Sequence, residues 1–182
     1  IGIISMNIKL TLTVCTLLLA ATLTTPSAAQ AKKKKAKAGP PAIKALIITG
    51  GCCHDYASQM VIIKKGLAAQ ANIECDVVLQ GYAGKDVKIN AYRTDEWAEG
   101  YDVIIHNECY GGVVDVDFIK NITEKHKAGL PAVMVHCSLH SYRNADTDEW
   151  RQVVGVSSFN HQHKTPVDVR NVQPKHPIMQ GL

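Results

Sequence analysis

The chain of 182 residues is 46% hydrophobic and 20% charged, with a formal net charge of +4. Those proportions exclude a wholly disordered chain, and the length suits one domain with a real core. Most of the positive excess sits in Lys32 to Lys37, so the remainder is nearly neutral, which argues against a nucleic acid or other polyanion as partner and for a small molecule.

In chain order, Ile1 to Ser5 precede Met6, which opens a short positive region ending at Lys9, and an apolar run then extends from Leu10 to Leu23. The run is too short to span a bilayer comfortably. Ser27-Ala28-Ala29 and Ala29-Gln30-Ala31 both fit a signal-peptidase site, so residues 1–31 read as upstream sequence plus a cleaved leader, with an uncleaved anchor as the rival. Export to the periplasm or outside the cell is expected, with no membrane span left after cleavage. Residues 32–43, carrying Gly39-Pro40-Pro41, read as a solvated linker because like charges repel and paired prolines stop a helix.

From residue 44 to 182 the pattern is that of one α/β domain. Ala45 to Thr49 is an apolar run closed by Gly50-Gly51, the signature of a strand buried on both faces of a parallel sheet. Ser58 can cap a helix to about Gln70, and Ile73 to Leu79 makes a second strand. A strand-like piece is expected at Val87 to Ile89 and a helical turn at Thr94 to Trp97. Tyr101 to His106 is the third main strand; Asp115 or Asp117 caps a helix that turns Phe118, Ile119 and Ile122 inward and closes at Gly129. Pro131 to His136 is the fourth strand, a helix starts within Asp146 to Trp150, and beyond Gly155 the pattern loosens. This alternation predicts right-handed βαβ units in an open, doubly wound, mostly parallel sheet of the flavodoxin-like type.

In such a sheet the carboxyl ends of the strands share one edge, and ligands bind there. Cys52-Cys53-His54-Asp55 follow the first strand, His106 to Gly112 the end of the third, and His136-Cys137-Ser138-Leu139-His140-Ser141-Tyr142-Arg143 the fourth. Each residue alone has a plain reading, since a buried cysteine is a small hydrophobe and a loop histidine a solvated hydrogen-bonder; their concentration at one edge favours a site. Gly50-Gly51 lacks the third glycine of a dinucleotide loop, which excludes a nicotinamide cofactor. No cofactor is predicted. A divalent metal such as zinc is the alternative, because cysteine, histidine and glutamate are competent donors, although no paired short-spacing motif accompanies them. The turn at His136-Cys137 is similar to a nucleophile elbow at a helix N-terminus, where a thiol would be acidified.

Cys52, Cys53, Cys75, Cys109 and Cys137 remain after loss of the leader, an odd number that implies at least one free sulfur. A bridge between Cys109 and Cys137 is open on spacing, two free thiols there are preferred, and a bond between the sequence neighbours Cys52 and Cys53 is disfavoured by strain.

Thr49-Gly50-Gly51 with His54-Asp55, the stretch Tyr101 to Cys109, Val135-His136-Cys137-Ser138 with His140-Ser141-Tyr142-Arg143, Trp150, Gly155, His161 and His176-Pro177-Ile178 with Gly181-Leu182 together resemble the ThuA-like, or trehalose-utilisation, family. That family's domain is similar to the class I glutamine amidotransferase fold. The resemblance covers 44–182 and implies a carbohydrate-linked role in bacteria that break down sugars, without fixing a reaction. His54, His136 and His161 match the family's recurring histidines, and His136 falls where amidotransferases keep their catalytic cysteine. The missing flanking glycines and the missing downstream His-x-Glu pair depart from amidotransferase chemistry. Family domains continue past the His-Pro segment, so the domain is expected to be cut at its C-terminus.

The resulting expectation is an exported sugar-converting hydrolase, lyase or isomerase. His136, His54, Glu108, His161 and Cys137 are the candidate catalytic residues, and Asp55, Cys109, His140 and Arg143 the candidate substrate contacts. A non-catalytic carbohydrate-binding module and a cysteine hydrolase using Cys137 are the alternatives. The partner is a small-molecule sugar, and self-association is left open.

Overall fold

The computed structural model describes residues 39–80, 84–163 and 165–180. The expected leader, and the linker up to residue 38, lie outside them. Four strands form one sheet: β1 (Ile43–Gly51), β2 (Ile73–Gln80), β3 (Val103–Cys109) and β4 (Ala132–Met134). Their order is β2-β1-β3-β4 and every pairing is parallel. Helices α1 (Tyr56–Gln70), α2 (Val116–Lys127) and α3 (Glu149–Val154) flank it. This is the open doubly wound arrangement of the flavodoxin-like type, with its order reversal between β1 and β3.

Both faces of β1 are buried, and alternation along the strand divides its side chains between two cores. Ala45 and Ile47 join Cys75 and Ile105 under Ile63 and Leu67 of α1. Leu46 and Ile48 join Ile104, Ile119, Ile122, Tyr92, Trp97 and Trp150 on the other face. Each fully buried isoleucine contributes roughly 1.5–3 kcal/mol, so these central side chains hold the sheet between its helices.

Helix α1 begins at Asp55 rather than at the expected cap, Ser58. The Asp55 carboxylate accepts from the Ser58 backbone N–H at 3.0 Å and from its hydroxyl at 2.6 Å. These bonds hold its carboxyl below the usual range. Asp115 caps α2 by accepting from the Phe118 N–H at 3.0 Å, and Gly129, at φ 109°, closes it. The expected strand at Val87 to Ile89 is irregular backbone, a 3-10 turn at Asn90–Arg93 precedes the expected turn, which runs as hydrogen-bonded turn over 95–100, and β4 is shorter than expected. Among the described residues no helix is long and apolar enough to cross a membrane.

Gly50 and Gly51, at φ 142° and 106°, end β1 where a Cβ would overlap the carbonyl oxygens of Gln80 and Cys109 respectively. Their role is close backbone passage between the neighbouring strands. The chain can therefore leave β1 directly into the ligand edge.

Candidate functional site

Residue pairing brings Gly51 opposite Cys109 at the order reversal, and the Cys52 N–H donates to the Cys109 carbonyl at 3.4 Å. Cys52, Tyr56, Cys109 and Cys137 pack there into one buried cluster. The Tyr56 hydroxyl donates to the Cys52 carbonyl at 2.8 Å, tying the start of α1 to the loop before it. Burial pushes the Tyr56 hydroxyl's pKa up.

Above this cluster, His54 from the β1 loop and His136 and Cys137 from the β4 loop place one donor atom each within 4.8 Å of one another. His54 Nε2 lies 2.9 Å from Cys137 Sγ, and the His54 and His136 rings meet edge to face at 5.1 Å. The His161 ring is 6.0 Å from His136 and 5.9 Å from His140, whose Nδ1 bonds Ser158 Oγ at 3.0 Å. Five sequence-nominated residues thus converge: His54, His136, Cys137, His161 and His140. Cys109 lies against Cys137 beneath them.

Backbone strain marks the same loops. Cys53, His136 and Tyr142 are the described non-glycine residues at positive φ, at 87°, 40° and 56°. Such conformations cost about 1–3 kcal/mol each and persist where surrounding structure fixes them. His136 therefore leaves β4 on a tight turn, as the elbow comparison anticipated. The segment that follows, His136–His140, is a short 3-10 turn rather than an α-helix. Burial pushes the Cys137 thiol up to about 12, with neighbouring Cys109 adding to the shift. Acidification of that thiol was expected and the opposite holds. A thiol so buried is a weak nucleophile unless a base such as His54, 2.9 Å away, takes its proton.

Asp55 lines this edge but its carboxylate is committed to capping α1, and one nominated residue stands elsewhere. Glu108 sits within β3 and is fully buried on the face toward α2, where it meets Tyr92 and His106 at 2.9 and 2.8 Å. The network of Tyr92, His106, His126 and Glu108 was not anticipated, because it exists only through tertiary packing.

A disulfide joins Cys52 and Cys53, correcting the expectation that neighbours would not bond, while Cys75, Cys109 and Cys137 are free. Non-reducing peptide mapping should return the Cys52–Cys53 peptide lighter by two hydrogens, with no Cys109 to Cys137 crosslink. A crosslinked pair of those peptides would refute this pairing.

The cleft at this edge, about 180 Å³, is lined by Gly51, His54, Asp55, Tyr56, Ala57, Leu79 and Gln80. A larger cavity of about 570 Å³ adjoins His126, Leu130 and Ala132 near the amino end of β4. Of the converging group, His54 lines the smaller one, and strand topology also points there. Comparison with known proteins finds no family model, no curated sequence and no solved structure that matches the chain.

Proposed function

We propose that the carboxyl edge of the sheet is a metal-assisted sugar site, in which His54, His136 and Cys137 hold a divalent ion, best matched by zinc. The observation that carries this reading is the meeting of three donor atoms from two loops within 4.8 Å at the order reversal. Imidazole nitrogen and thiolate sulfur are the donors zinc prefers, and three protein ligands leave a position open for substrate, as in catalytic rather than structural sites. At usual bond lengths a tetrahedral ion separates N and S by about 3.5 Å. The His54 to Cys137 pair, at 2.9 Å, must open slightly, which two loop side chains can do.

When bound, such an ion supplies Lewis acidity toward a hydroxyl or carbonyl oxygen. The protein's own groups then carry the protons and set the pose. Exposed His161, its ring 6.0 Å from that of His136, is placed to exchange a proton between substrate and solvent, and His140, held by Ser158, lies beside it. The resemblance to the ThuA-like family supports the substrate class, a sugar or oxidised sugar, and the apolar run from Leu10 to Leu23 supports a setting outside the cytoplasm. A cysteine hydrolase at this site would have to draw the proton from a thiol that burial makes reluctant to ionise.

Incubation of the zinc-loaded chain with disaccharides and their keto forms, followed by chromatography, should show consumption that stops with EDTA and returns with zinc. Absence of any consumption, together with calorimetric binding of the same sugars, would replace this reading by the carbohydrate-binding module.

A further inference from the structure

Arg143 lies half-buried on the β4 loop, its guanidinium set against Gly111, where a Cβ would come within 3.0 Å of Cζ and 3.1 Å of Nε. The backbone beneath it is held firmly. The Tyr110 N–H donates to Ser141 Oγ at 3.3 Å, Ser141 Oγ donates to the Glu108 carbonyl at 3.0 Å, and the Tyr142 and Asn144 N–H groups donate to the Tyr110 and Gly111 carbonyls, both at 3.2 Å. Tyr142, at φ 56°, takes the turn that delivers Arg143 to this place. Its charge is felt at both Cys109 and Cys137, and that of Lys85 at Cys109 as well.

Among the described residues neither cation forms an ion pair. All 16 aspartates and glutamates of the sequence fall among the described residues. The ion pairs they form are with Lys88, His106, Lys127 and Arg151. Asp86 lies over the adjacent Gly112, outside ion-pair distance of Arg143. Among the described residues Arg143 makes no hydrogen bond, so a partly desolvated fork of donors stands open beside the histidine cluster. Leaving such donors unmatched costs free energy, and a bidentate oxyanion is the group whose geometry matches them.

We infer that Arg143, assisted by Lys85, anchors an anionic group of the ligand, so that this edge takes an anionic sugar: a sugar carboxylate or a sugar phosphate. The inference rests on the reading of the edge as a sugar site and adds the charge of its ligand. A near-neutral domain with one small cationic corner selects a small anion over a polyanion.

The test is calorimetric titration of the zinc-loaded chain with glucuronate, glucose 6-phosphate and glucose at matched ionic strength. At least one anion should bind about tenfold or more tightly than glucose, the range expected for hydrogen bonds to a charged group; which anion does so separates carboxylate from phosphate. Arg143→Gln should erase the preference and Arg143→Lys should keep part of it, with an unchanged circular dichroism spectrum as the check on folding. No preference for either anion over glucose, including no binding of any of them, would overturn the inference, and so would a preference that survives Arg143→Gln. Loss of zinc binding with the anion preference intact would instead sink the metal reading and leave the anchor standing.

Discussion

Replacing His136 by alanine is expected to lower the chain's zinc affinity by about 100-fold or more, because a centre with three protein donors keeps only two. The imidazole is exposed, so its removal leaves the core untouched and circular dichroism should be unchanged. His54→Ala should do the same. His161→Ala is the control, since its ring stands 6.0 Å from that of His136 and outside the three-donor group. Competition against a chromogenic chelator reads all three. A loss with His161→Ala equal to that with His136→Ala would show the donor set to be wrong, and retention of affinity in both His54 and His136 variants would remove the centre altogether.

Cys137 adds a pH signature to the same measurement. Its thiol, pushed up to about 12 by burial and by Cys109, must lose its proton to ligate. Metal binding therefore competes with a proton at any pH below that value, and raising the pH strengthens binding. The apparent affinity should climb by about tenfold per pH unit from this thiol alone, with one proton released per ion bound. Cys137→Ser should bind more weakly and lose that slope.

The sheet was legible because β1, buried on both faces, is written as an unbroken apolar run and β3 opens on a shorter one, Val103-Ile104-Ile105, while edge strand β2 alternates Glu74 and Asp76 with apolar residues. Chain ends of elements were harder. Asp55 and Ser58 are both good caps three residues apart, and what decides between them is the burial of Tyr56, which commits the first turn of α1 to the cluster of cysteines. Ile89 is apolar because it is buried in the core, not because its backbone pairs with a strand. The convergence of His54, His136 and Cys137 followed from topology, since parallel strands deliver their carboxyl ends to one edge. Glu108 was misread for a related reason: β3 was expected to stop at His106, which made Glu108 a loop residue, whereas it runs to Cys109. Alternation then sends Ile104, His106 and Glu108 toward α2, and Asn107 the other way, where its amide donates to Gln59 of α1 at 3.2 Å.

Glu108→Ala should accordingly be a stability variant, costing about 3–5 kcal/mol, the usual result of removing one member of a buried charged network. Glu108 Oε1 accepts from the Tyr92 hydroxyl at 2.9 Å and meets His106 Nδ1 at 2.8 Å. His106 Nε2 in turn lies 3.0 Å from His126 Nε2, and His126 Nδ1 is 2.9 Å from the Leu130 carbonyl. A carbonyl can only accept, so neutral His126 donates from Nδ1 and accepts from His106 Nε2. Without the carboxylate, the Tyr92 hydroxyl and His106 Nδ1, 3.0 Å apart, keep only each other as partners, and a cavity is left beside them. Glu108→Gln preserves the shape and one acceptor oxygen and should cost less. Burial also holds the His126 imidazole below its usual value, so the native state resists taking up the proton that the unfolded chain accepts near pH 6.5. Stability should thus fall as pH drops below about 6.5 toward the lowered native value, and it should be recovered above it. Urea unfolding at pH 7.5 and 5.5, with zinc affinity measured on the same samples, tests both statements: the expected result is a lower midpoint for Glu108→Ala with zinc affinity retained in the folded fraction. A variant that unfolds at the wild-type midpoint yet no longer turns over sugar would return Glu108 to the reacting centre.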